Sequence, residues 1–502
     1  MLHRFHLLAA ASLIFAAPAV AEDKAPAWQV SPAFQRAMDP MVPRAATSAK
    51  VVTTRHAITL SGKRIAYRAI VTETPMAGAD GTPAAVVVTY AYVAETPANP
   101  ANRSVLFIFN GGPGASSSPL HIKGIGPRRI DGAHIADNPH SLLDAADLVF
   151  IDPVGTGASM PIVGKDATPF FSVGGDARAI VQVIDGWKKA NGRATAPTIL
   201  VGESYGTMRT LAMLNEEMKA KQALPDGIVL LALALGGGGS PATEAMVQLP
   251  TLSAIAWYHN AIDRGGRTVA QQFETARAFA ESAYITATVQ GSALPDAERE
   301  ALAARMAPLI GLPAETIARD GIAIDKDGFM LGLLATRGLR TGQLDARVTR
   351  AIADSNFHPP FDDPSMSLGS ETGASIESYL KNELGYAAPS PYRSLNLGIN
   401  FKWNYEAGRG GAYSGGSFAP FLVSAMAAKP TLRVFTGGGY FDLTTPVEAG
   451  IFALNQAGVP VDRRSSHFYP TGHSIGEDDT GAALLSADLH AFVAQIAAAR
   501  KM

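Results

Sequence analysis

The stretch Thr198-Ile-Leu-Val-Gly-Glu-Ser-Tyr-Gly206 joins a short apolar run to a helical pattern over 207–222. The apolar run is typical of a fully buried strand. Between strand and helix, Gly202-Glu-Ser-Tyr-Gly206 fits the pattern G-x-S-x-G, in which small flanking residues permit a very tight turn. Such a turn exposes the serine hydroxyl and directs the first amides of the helix toward a developing negative charge. The pattern predicts that Ser204 is a nucleophile; the alternative is an ordinary glycine-rich turn.

Strand signatures recur on both sides of this turn. Short apolar runs lie at 104–109, 147–151, 198–201, 227–235 and 432–435, with helical stretches at 175–189 and 207–222. Alternating strands and helices predict an α/β fold with a mostly parallel sheet covered by helices on both faces. Ahead of them, 56–71 and 84–93 have the composition of antiparallel strands that open the sheet.

The alternation stops near Ser240 and resumes near Leu432. The intervening chain carries amphipathic helical patterns at 270–288, 295–306 and 343–353, followed by an irregular part rich in glycine, proline and asparagine. We expect residues 52–240 and 429–502 to form one core, with 241–428 inserted as a largely helical cap. A separate helical domain is the alternative, but neither end has a clear linker.

The first residues, MLHRFHLLAAASLIFAAPAVAEDK, have the layout of a secretory signal peptide. We expect residues 1–21 to be cleaved after Ala21 and 22–51 to form a loosely ordered arm. A membrane anchor is the alternative, but its apolar run is shorter than the roughly 20 residues that cross a bilayer. The prediction is a secreted or periplasmic protein with no further membrane-spanning segment.

The composition excludes several classes of site. The chain has 502 residues, 47% hydrophobic and 17% charged, with a net charge of −2 and no cysteine. These values are typical of a globular protein with a sizeable core. Without a basic stripe, no nucleic-acid partner is expected. Without cysteine, H-E-x-x-H or a tight His/Asp cluster, we expect no disulfide, metal or other cofactor.

A serine nucleophile needs a general base and an orienting carboxylate, which in this kind of sheet follow in the order Ser, Asp or Glu, His. His473 is the predicted base because Pro470-Thr-Gly-His473 is a glycine-flanked loop after a strand-like segment at 463–469. The other histidines after Ser204 fall in the cap, in a strand or in the last helix, where structural roles are expected: His259, His358, His467 and His490.

Asp442 is the candidate carboxylate. It follows the strand at 432–435, at the carboxyl edge where such sheets place ligands and catalytic groups. The alternative carboxylates are Asp462 and the acidic residues of the cap. The alternative role for Asp442 itself is to stabilise a turn.

The segment Asn110-Gly-Gly-Pro-Gly-Ala-Ser-Ser117 directly follows the strand at 104–109. Backbone amides at such small residues can approach a ligand closely, as in loops that supply oxyanion-hole donors. No Gly-Lys-Ser/Thr follows, so this is not a phosphate-binding P-loop.

Together these segments resemble the serine carboxypeptidase family. Residues 110–117 resemble its N-G-G-P-G-C-S-S block, 152–159 its P-x-G-x-G-x-S block and 202–205 its G-E-S-Y block. Asp442 lies in a G-x-x-D-x-x-x-P-like stretch that ends at Pro446, and His473 matches the G-H element. The resemblance implies an α/β-hydrolase fold and a serine-type carboxypeptidase that works through an acyl-enzyme on peptides with a free C-terminus.

The resemblance also implies individual roles. It implies a catalytic triad of Ser204, Asp442 and His473. It implies that the backbone amides of Gly112 and Tyr205 are the oxyanion donors. It also implies that the peptide's C-terminal carboxylate binds to Asn110, Gly111 and Glu203. A carboxylic acid facing a carboxylate can share one proton, which favours binding at acidic pH. The alternative for Glu203 is a carboxylate that complements the helix dipole.

Three departures from the family pattern keep other functions open. Ala115 replaces the family's cysteine, Gly124 stands where many members have a second glutamate, and Gly206-Thr207 replaces Ala-Gly. An esterase or acyltransferase with the same triad is therefore the second hypothesis. A non-catalytic binding protein on a hydrolase scaffold is the third.

Overall fold

The computed structural model describes residues 37–38, 40–45, 49–95, 102–131, 134–236, 239–354, 363–366, 370–405 and 417–500. The expected signal peptide at 1–21 lies outside the described residues, as does most of the expected arm at 22–51.

A single large sheet forms the centre of the described chain. Its nine strands lie in the order β1-β2-β3-β7-β4-β8-β9-β12-β13, antiparallel from β1 to β7 and parallel from β7 to β13. Two small hairpins, β5–β6 and β10–β11, lie outside it. The strands are β1 Val51–Leu60, β2 Lys63–Ala77, β3 Pro83–Ala94, β4 Val105–Phe109, β5 Arg128–Asp131, β6 His134–Asp137, β7 Asp147–Asp152, β8 Thr198–Glu203, β9 Gly227–Leu231, β10 Leu339–Thr341, β11 Thr349–Ala351, β12 Arg433–Gly439 and β13 Arg464–Tyr469.

Helices follow most strands of the parallel part. The α-helices are α1 Val173–Ala190, α2 Tyr205–Lys219, α3 Pro241–Tyr258, α4 Val269–Phe279, α5 Ile285–Thr288, α6 Asp296–Ile310, α7 Ala314–Arg319, α8 Lys326–Gly332, α9 Ser370–Asn382, α10 Leu397–Asn400, α11 Ala419–Ala428, α12 Val447–Ala457 and α13 Asp479–Ala499.

The central strands explain the apolar runs of the sequence. Every residue of β4, β7, β8 and β9 is buried, because α1 and α2 cover one face of the sheet and α13 covers the other. A strand that is covered on both faces needs apolar residues at consecutive positions rather than at alternate ones. The predicted mostly parallel α/β sheet is confirmed.

The opening of the sheet differs in detail from the prediction. The segment 56–71, expected as one strand, contains parts of β1 and β2, which reverse at Ser61 and Gly62 and pair from Leu60 with Lys63 outward. Ser61 has a φ of +48° and Gly62 a φ of +76°. A two-residue turn with both residues at positive φ matches the twist of a hairpin.

The inserted chain packs in two parts. Helices α3 to α8 form a hydrophobic cluster with residues that follow β12, among them Tyr440, Phe441 and Leu443. Residues from α9 onward, such as Ile376 and Ile399, instead join the clusters on the two faces of the main sheet. The boundaries of a cap at 241–428 remain a prediction.

The segment 343–353, predicted to be helical, is not an α-helix. It forms the loop between β10 and β11, then β11 itself, and its last two residues begin a short 3-10 helix, Ile352–Asp354. The backbone amides of Gln343 and Leu344 donate to the Asp363 carboxylate, each at 2.9 Å, so the loop is held from outside. A pattern of side chains does not reveal a backbone that bonds to a distant carboxylate.

Among the described residues, α13 is long and apolar enough to cross a membrane by length and composition. From the sequence, no membrane-spanning segment was predicted after the signal peptide. Leu485, Leu489 and Phe492 of this helix are buried in the cluster on one face of the sheet. These three apolar residues of α13 therefore serve as core residues in this structure.

Candidate active site

Ser204 lies on a tight turn between β8 and α2, with a φ of +59° and a ψ of −130°. Its amide donates to the Leu231 carbonyl at 2.9 Å. A Cβ atom on Gly202 would lie 2.3 Å from the Gly206 carbonyl oxygen, and one on Gly206 would lie 2.9 Å from the Phe109 carbonyl oxygen. Both glycines are therefore needed for the turn, and a non-glycine residue at positive φ in such a turn is typical of a strained functional site.

His473 and Asp442 form a buried hydrogen-bonded pair. His473 Nδ1 lies 2.7 Å from Asp442 Oδ2, and the Asp442 side chain is fully buried. Asp442 also accepts hydrogen bonds from the Thr444 amide at 2.8 Å and the Thr445 hydroxyl at 2.5 Å. A ring whose Nδ1 is held in this way keeps Nε2 available as a base.

Burial and ion pairing act in opposite directions on this pair. Burial alone would lower the pKa of His473, but the Asp442 carboxylate outweighs it and raises that pKa. Burial alone would raise the pKa of Asp442, but His473 and the Thr445 hydrogen bonds hold it below its usual value. The folded protein thus favours an ionised Asp442 beside an imidazole that readily takes up a proton.

The three predicted triad residues lie at the same edge of the sheet. Ser204 follows β8, Asp442 follows β12 and His473 follows β13, each just beyond the carboxyl end of its strand. The loop of His473 reaches the serine turn, because the Ser474 hydroxyl donates to Glu203 Oε1 at 3.4 Å. Their joint catalytic role remains a prediction from the sequence.

The alternative residues lie elsewhere. Asp462 lies at the amino end of β13, whereas His473 follows its carboxyl end. His259 Nε2 lies 2.7 Å from the Ala346 carbonyl, His467 stacks on the Phe435 ring, and His490 pairs with Asp144 at 2.7 Å. His358 lies outside the described residues.

The glycine-rich loop after β4 runs over the first turn of α2. A Cβ atom on Gly111 would lie 2.4 Å from the Tyr205 amide nitrogen, so only glycine permits this approach. Gly112 has a φ of +96° and precedes Pro113 with a cis peptide bond. Tyr205 is the first residue of α2, where a helix leaves its amide N–H groups without an intrahelical partner. This arrangement is compatible with the predicted use of the Gly112 and Tyr205 amides as oxyanion donors.

Asn110 and Glu203 form a buried polar pair beside the serine turn. Asn110 Nδ2 donates to Glu203 Oε1 at 2.6 Å, and Asn110 Oδ1 accepts from the Leu120 amide at 3.2 Å, which fixes the orientation of the side-chain amide. Glu203 is 3% exposed. Burial raises the pKa of Glu203 to about 7, so this acid is largely protonated in mildly acidic solution.

Gly124, the residue that departs from the family pattern, lies against the loop of His473. A Cβ atom on Gly476 would be 2.8 Å from Gly124 Cα. Next to this contact, Lys123 Nζ and Glu477 Oε1 form an ion pair of 2.7 Å. The glycine at 476 therefore allows the loop after His473 to pack closely on the turn that contains Lys123 and Gly124.

Two contributors to this site were missed in the sequence. The Thr445 hydroxyl contacts both Asp442 and His473 Nδ1, the latter at 3.2 Å, and Ser474 contacts Glu203. A threonine three residues after an aspartate is a local signal for side-chain bonding in a turn. Ser474 has no comparable signal. Within the described ranges, no group of three or more histidine, aspartate or glutamate side chains is arranged to hold a metal ion.

Known proteins resemble parts of this chain in sequence and most of it in fold. Residues 85–298 match the family model described as serine carboxypeptidase. This part of the chain is similar to the serine carboxypeptidases. It is 45% identical over 83 residues, 15% of this chain, to serine carboxypeptidase-like 36 of Arabidopsis thaliana. It is 27% identical over 190 residues, 37% of this chain, to carboxypeptidase Y homolog A of Arthroderma otae. The alignments span 17% and 34% of these two relatives' own lengths.

The fold of a solved carboxypeptidase is also similar. Kex1(delta)p, a prohormone-processing carboxypeptidase from Saccharomyces cerevisiae, superposes with a TM-score of 0.54 at 12% identity, covering 85% of this chain and 91% of the other. At this identity the likeness concerns the fold alone. The expected α/β-hydrolase fold and the resemblance to serine carboxypeptidases are confirmed.

Proposed function

We propose that this protein is a serine carboxypeptidase that removes C-terminal residues from peptides through an acyl-enzyme. The observation that carries the proposal is the 2.6 Å hydrogen bond between Asn110 and Glu203, buried directly beside Ser204. An amide donor and a carboxyl group that is protonated below about pH 7 are suited to hold a free carboxylate. An enzyme that ignores the end of its substrate has no need of them.

In the proposed reaction, Ser204 Oγ attacks the carbonyl carbon of the last peptide bond while its proton passes to His473 Nε2. Asp442 holds the ring and stabilises the imidazolium. The amides of Gly112 and Tyr205 stabilise the tetrahedral oxyanion, about 2.7–4 kcal/mol for each donor. The C–N bond then breaks as His473 returns the proton to the leaving amine, and water hydrolyses the ester by the same steps.

The pH dependence follows from Glu203. Below about pH 7 its carboxyl group is protonated and donates a hydrogen bond to the substrate carboxylate; above that pH two negative charges face each other. Affinity for peptides with a free C-terminus should therefore weaken as the pH rises through 7.

The direct test is mass spectrometry of a peptide mixture incubated with the purified protein and with Ser204→Ala. We expect single residues to leave from the C-terminus only with the wild type, and C-terminally amidated copies of the same peptides to be spared. Hydrolysis that persists in Ser204→Ala would remove the nucleophile assignment. Equal cleavage of amidated and free peptides would remove the carboxylate site.

The second candidate is an esterase or acyltransferase with the same triad. Gly124, which replaces a glutamate that assists carboxylate recognition in many family members, favours it. Such an enzyme would hydrolyse small esters in a Ser204-dependent manner and leave all peptides intact. Measuring both substrates with one preparation separates the two candidates.

We also propose that the protein is exported, with a peptide as its partner and no nucleic acid. The N-terminal sequence supports this, and its removal is directly measurable. Cell fractionation should place the mature chain outside the cytoplasm, with Glu22 as its first residue; an uncleaved Met1 would contradict the proposal.

A further inference from the structure

Arg209 on α2 is fully buried and follows the proposed nucleophile by five residues, about one and a half helical turns. Its Nε donates to Asp176 Oδ2 at 2.6 Å and its Nη1 donates to the Asn110 carbonyl at 2.5 Å. Its Nη2 is buried without a hydrogen-bond partner in the described chain. A guanidinium that is desolvated and incompletely bonded is costly, which points to a purpose besides folding.

Arg209 also contacts the other side of the proposed oxyanion hole. Its guanidinium carbon lies 5.1 Å from the centroid of the Tyr205 ring and 5.3 Å from that of Phe109. The Tyr205 hydroxyl donates to the same Asp176 carboxylate at 3.3 Å. One buried cation thus touches Tyr205, whose amide is a proposed donor, and Asn110, which begins the loop carrying the second donor.

The contact with Asn110 bears on the orientation of the Gly112 amide. The Asn110 carbonyl is held by Arg209, and the next carbonyl, that of Gly111, accepts from the Ala115 amide at 3.2 Å. In a trans peptide the C=O and N–H groups point in opposite directions. The Gly111 carbonyl therefore sets the direction of the Gly112 N–H in the same peptide, and the Asn110 carbonyl held by Arg209 fixes the preceding peptide, to which this one is joined at Gly111.

Another buried ion pair provides the comparison. Arg193 Nη2 and Asp147 Oδ2 lie 2.7 Å apart with similarly buried side chains, at the start of β7 and thus at the opposite edge of the sheet from Ser204. This pair can contribute to stability but lies away from the glycine-rich loop. Both arginines are buried and paired with an aspartate, but only Arg209 lies beside the glycine-rich loop.

We propose that Arg209 is a positioning residue of the oxyanion hole. It anchors the Asn110–Gly111 peptide, from which the next peptide with the Gly112 amide continues toward the tetrahedral intermediate, and it places a positive charge behind both donors. The inference rests on the proposed role of Ser204. It concerns only the transition state, because neither contact involves the side-chain atoms of Asn110 and Glu203 that would bind substrate.

The test compares Arg209→Met, which removes the charge and the donors, with Arg209→Lys and with the matched control Arg193→Met. Hydrolysis of p-nitrophenyl acetate and of a peptide with a free C-terminus gives kcat and KM. Phenylboronic acid probes the tetrahedral state, because Ser204 Oγ bonds to boron through its lone pair while the hydroxyl proton passes to His473.

For Arg209→Met we expect kcat to fall about 10- to 100-fold, somewhat less than on loss of a whole oxyanion donor. KM should stay within about threefold, and the inhibition constant of phenylboronic acid should rise in parallel with the loss of kcat. Arg209→Lys keeps one ammonium group in place of the planar guanidinium, so its kcat should lie between those of Arg209→Met and wild type. Arg193→Met should lower the melting temperature and keep kcat.

Wild-type kcat and boronate affinity in Arg209→Met would overturn the proposal, as would an equal loss of kcat in Arg193→Met. If Arg209→Met does not fold, Arg209→Lys decides by the same criterion. Ester turnover keeps this test separate from the proposed function. If wild type cleaves the ester but no peptide, the carboxypeptidase proposal fails, whereas the effect of Arg209 is still measured.

Discussion

At the scale of single residues, Glu203 and Glu217 form a natural comparison. Both are buried acids, and burial raises the pKa of Glu203 to about 7 and that of Glu217 to about 8. Glu203 bonds to Asn110 beside the nucleophile, whereas Glu217 lies near the opposite end of α2. Only the first lies beside the proposed nucleophile, although both favour the protonated form.

Glu203→Gln should flatten the pH dependence of KM for peptides with a free C-terminus. In wild type, KM should rise as the pH increases through about 7, because the proton that faces the substrate carboxylate is lost. The neutral glutamine cannot lose it. Steady-state kinetics from pH 5 to pH 9 checks this, with Glu217→Gln as the control that keeps the wild-type profile. An unchanged profile in Glu203→Gln would show that another group titrates.

Asp442→Asn should lower kcat by about four orders of magnitude, the size of the effect when a triad carboxylate becomes an amide. The amide would donate to His473 Nδ1 and leave the proton on Nε2, the wrong tautomer for a base. Single-turnover labelling of Ser204 with a fluorophosphonate measures the loss. Asp462→Asn, at the other end of β13, should label at the wild-type rate. Equal losses in both variants would contradict the assignment.

At the scale of elements, the turn between β8 and α2 depends on two glycines. Gly202→Ala places a methyl group 2.3 Å from the backbone oxygen of Gly206 and 2.7 Å from Thr210 Oγ1, and the backbone oxygen cannot rotate away. We expect a loss of about 1–3 kcal/mol in the free energy of unfolding, typical of overpacking. Gly186→Ala in α1 is the control, since nothing lies within 4 Å of its added carbon. There the helix should gain about 0.5–1 kcal/mol; urea denaturation measures both, and equal effects would contradict the steric argument.

The loop between β10 and β11 joins the inserted chain to the loop of His473. The His473 amide donates to the Leu344 carbonyl at 2.7 Å. Arg347 donates to the Pro470 carbonyl at 3.0 Å and to Asp478 at 3.0 Å. The inserted chain therefore holds the residues on both sides of the proposed base.

Arg347→Met should slow the labelling of Ser204 by a fluorophosphonate, because the loop of His473 loses two of its attachments. The matched control is Arg277→Met, which removes ion pairs with Glu274 and Glu281 on the exposed surface of α4 and should label normally. Labelling time courses at one pH suffice. If Arg347→Met lowers only the melting temperature and not the labelling rate, the loop has no part in positioning His473.

The conformation of the loop between β10 and β11 could not be predicted from the sequence. Apolar runs in the sequence were enough to predict β4, β7 and β8, because a strand that is buried on both faces has apolar residues at consecutive positions. The turn at Ser204 had its signature in two glycines. The segment 343–353 carried a helical pattern, yet its backbone is held by Asp363 and by the loop of His473, which are remote in sequence. Contacts of that kind have no periodicity, so Arg347 was not recognised.

At the scale of the whole molecule, the sheet unites two distant parts of the chain. β12 pairs in parallel with β9, from Arg433 opposite Gly227 onward, although about two hundred residues separate them. The order of the motifs predicted this closure, because a serine after one strand and a histidine near the C-terminus act together only if both strands share an edge. The inserted chain packs partly in its own hydrophobic cluster and partly against the main sheet. No pattern in the sequence predicted this division.

The buried titratable groups together predict where the fold is most stable. Burial lowers the pKa of His121 to about 3, and it raises those of Glu203 and Glu448 to about 7 and that of Glu217 to about 8. The contribution of His121 is fully present above its unfolded pKa of about 6.5 and is lost as the pH falls below it. The contribution of the three acids is fully present below their unfolded pKa of about 4.3 and is lost as the pH rises through 7 to 8.

Above the unfolded pKa of glutamate the three acids outweigh the single histidine, so these four groups place the highest melting temperature near about pH 4, with a fall as the pH rises toward 8. Thermal denaturation across the pH range checks this. Glu217→Gln should flatten the alkaline limb, because a group that cannot ionise no longer resists burial as the pH rises. Lys219→Gln on the same helix is the control, since its ammonium pairs with Glu216 at the surface and should leave the limb unchanged. A melting temperature that rises steadily from pH 6 to pH 9 would mean that these acids are hydrated and ionised in the folded protein.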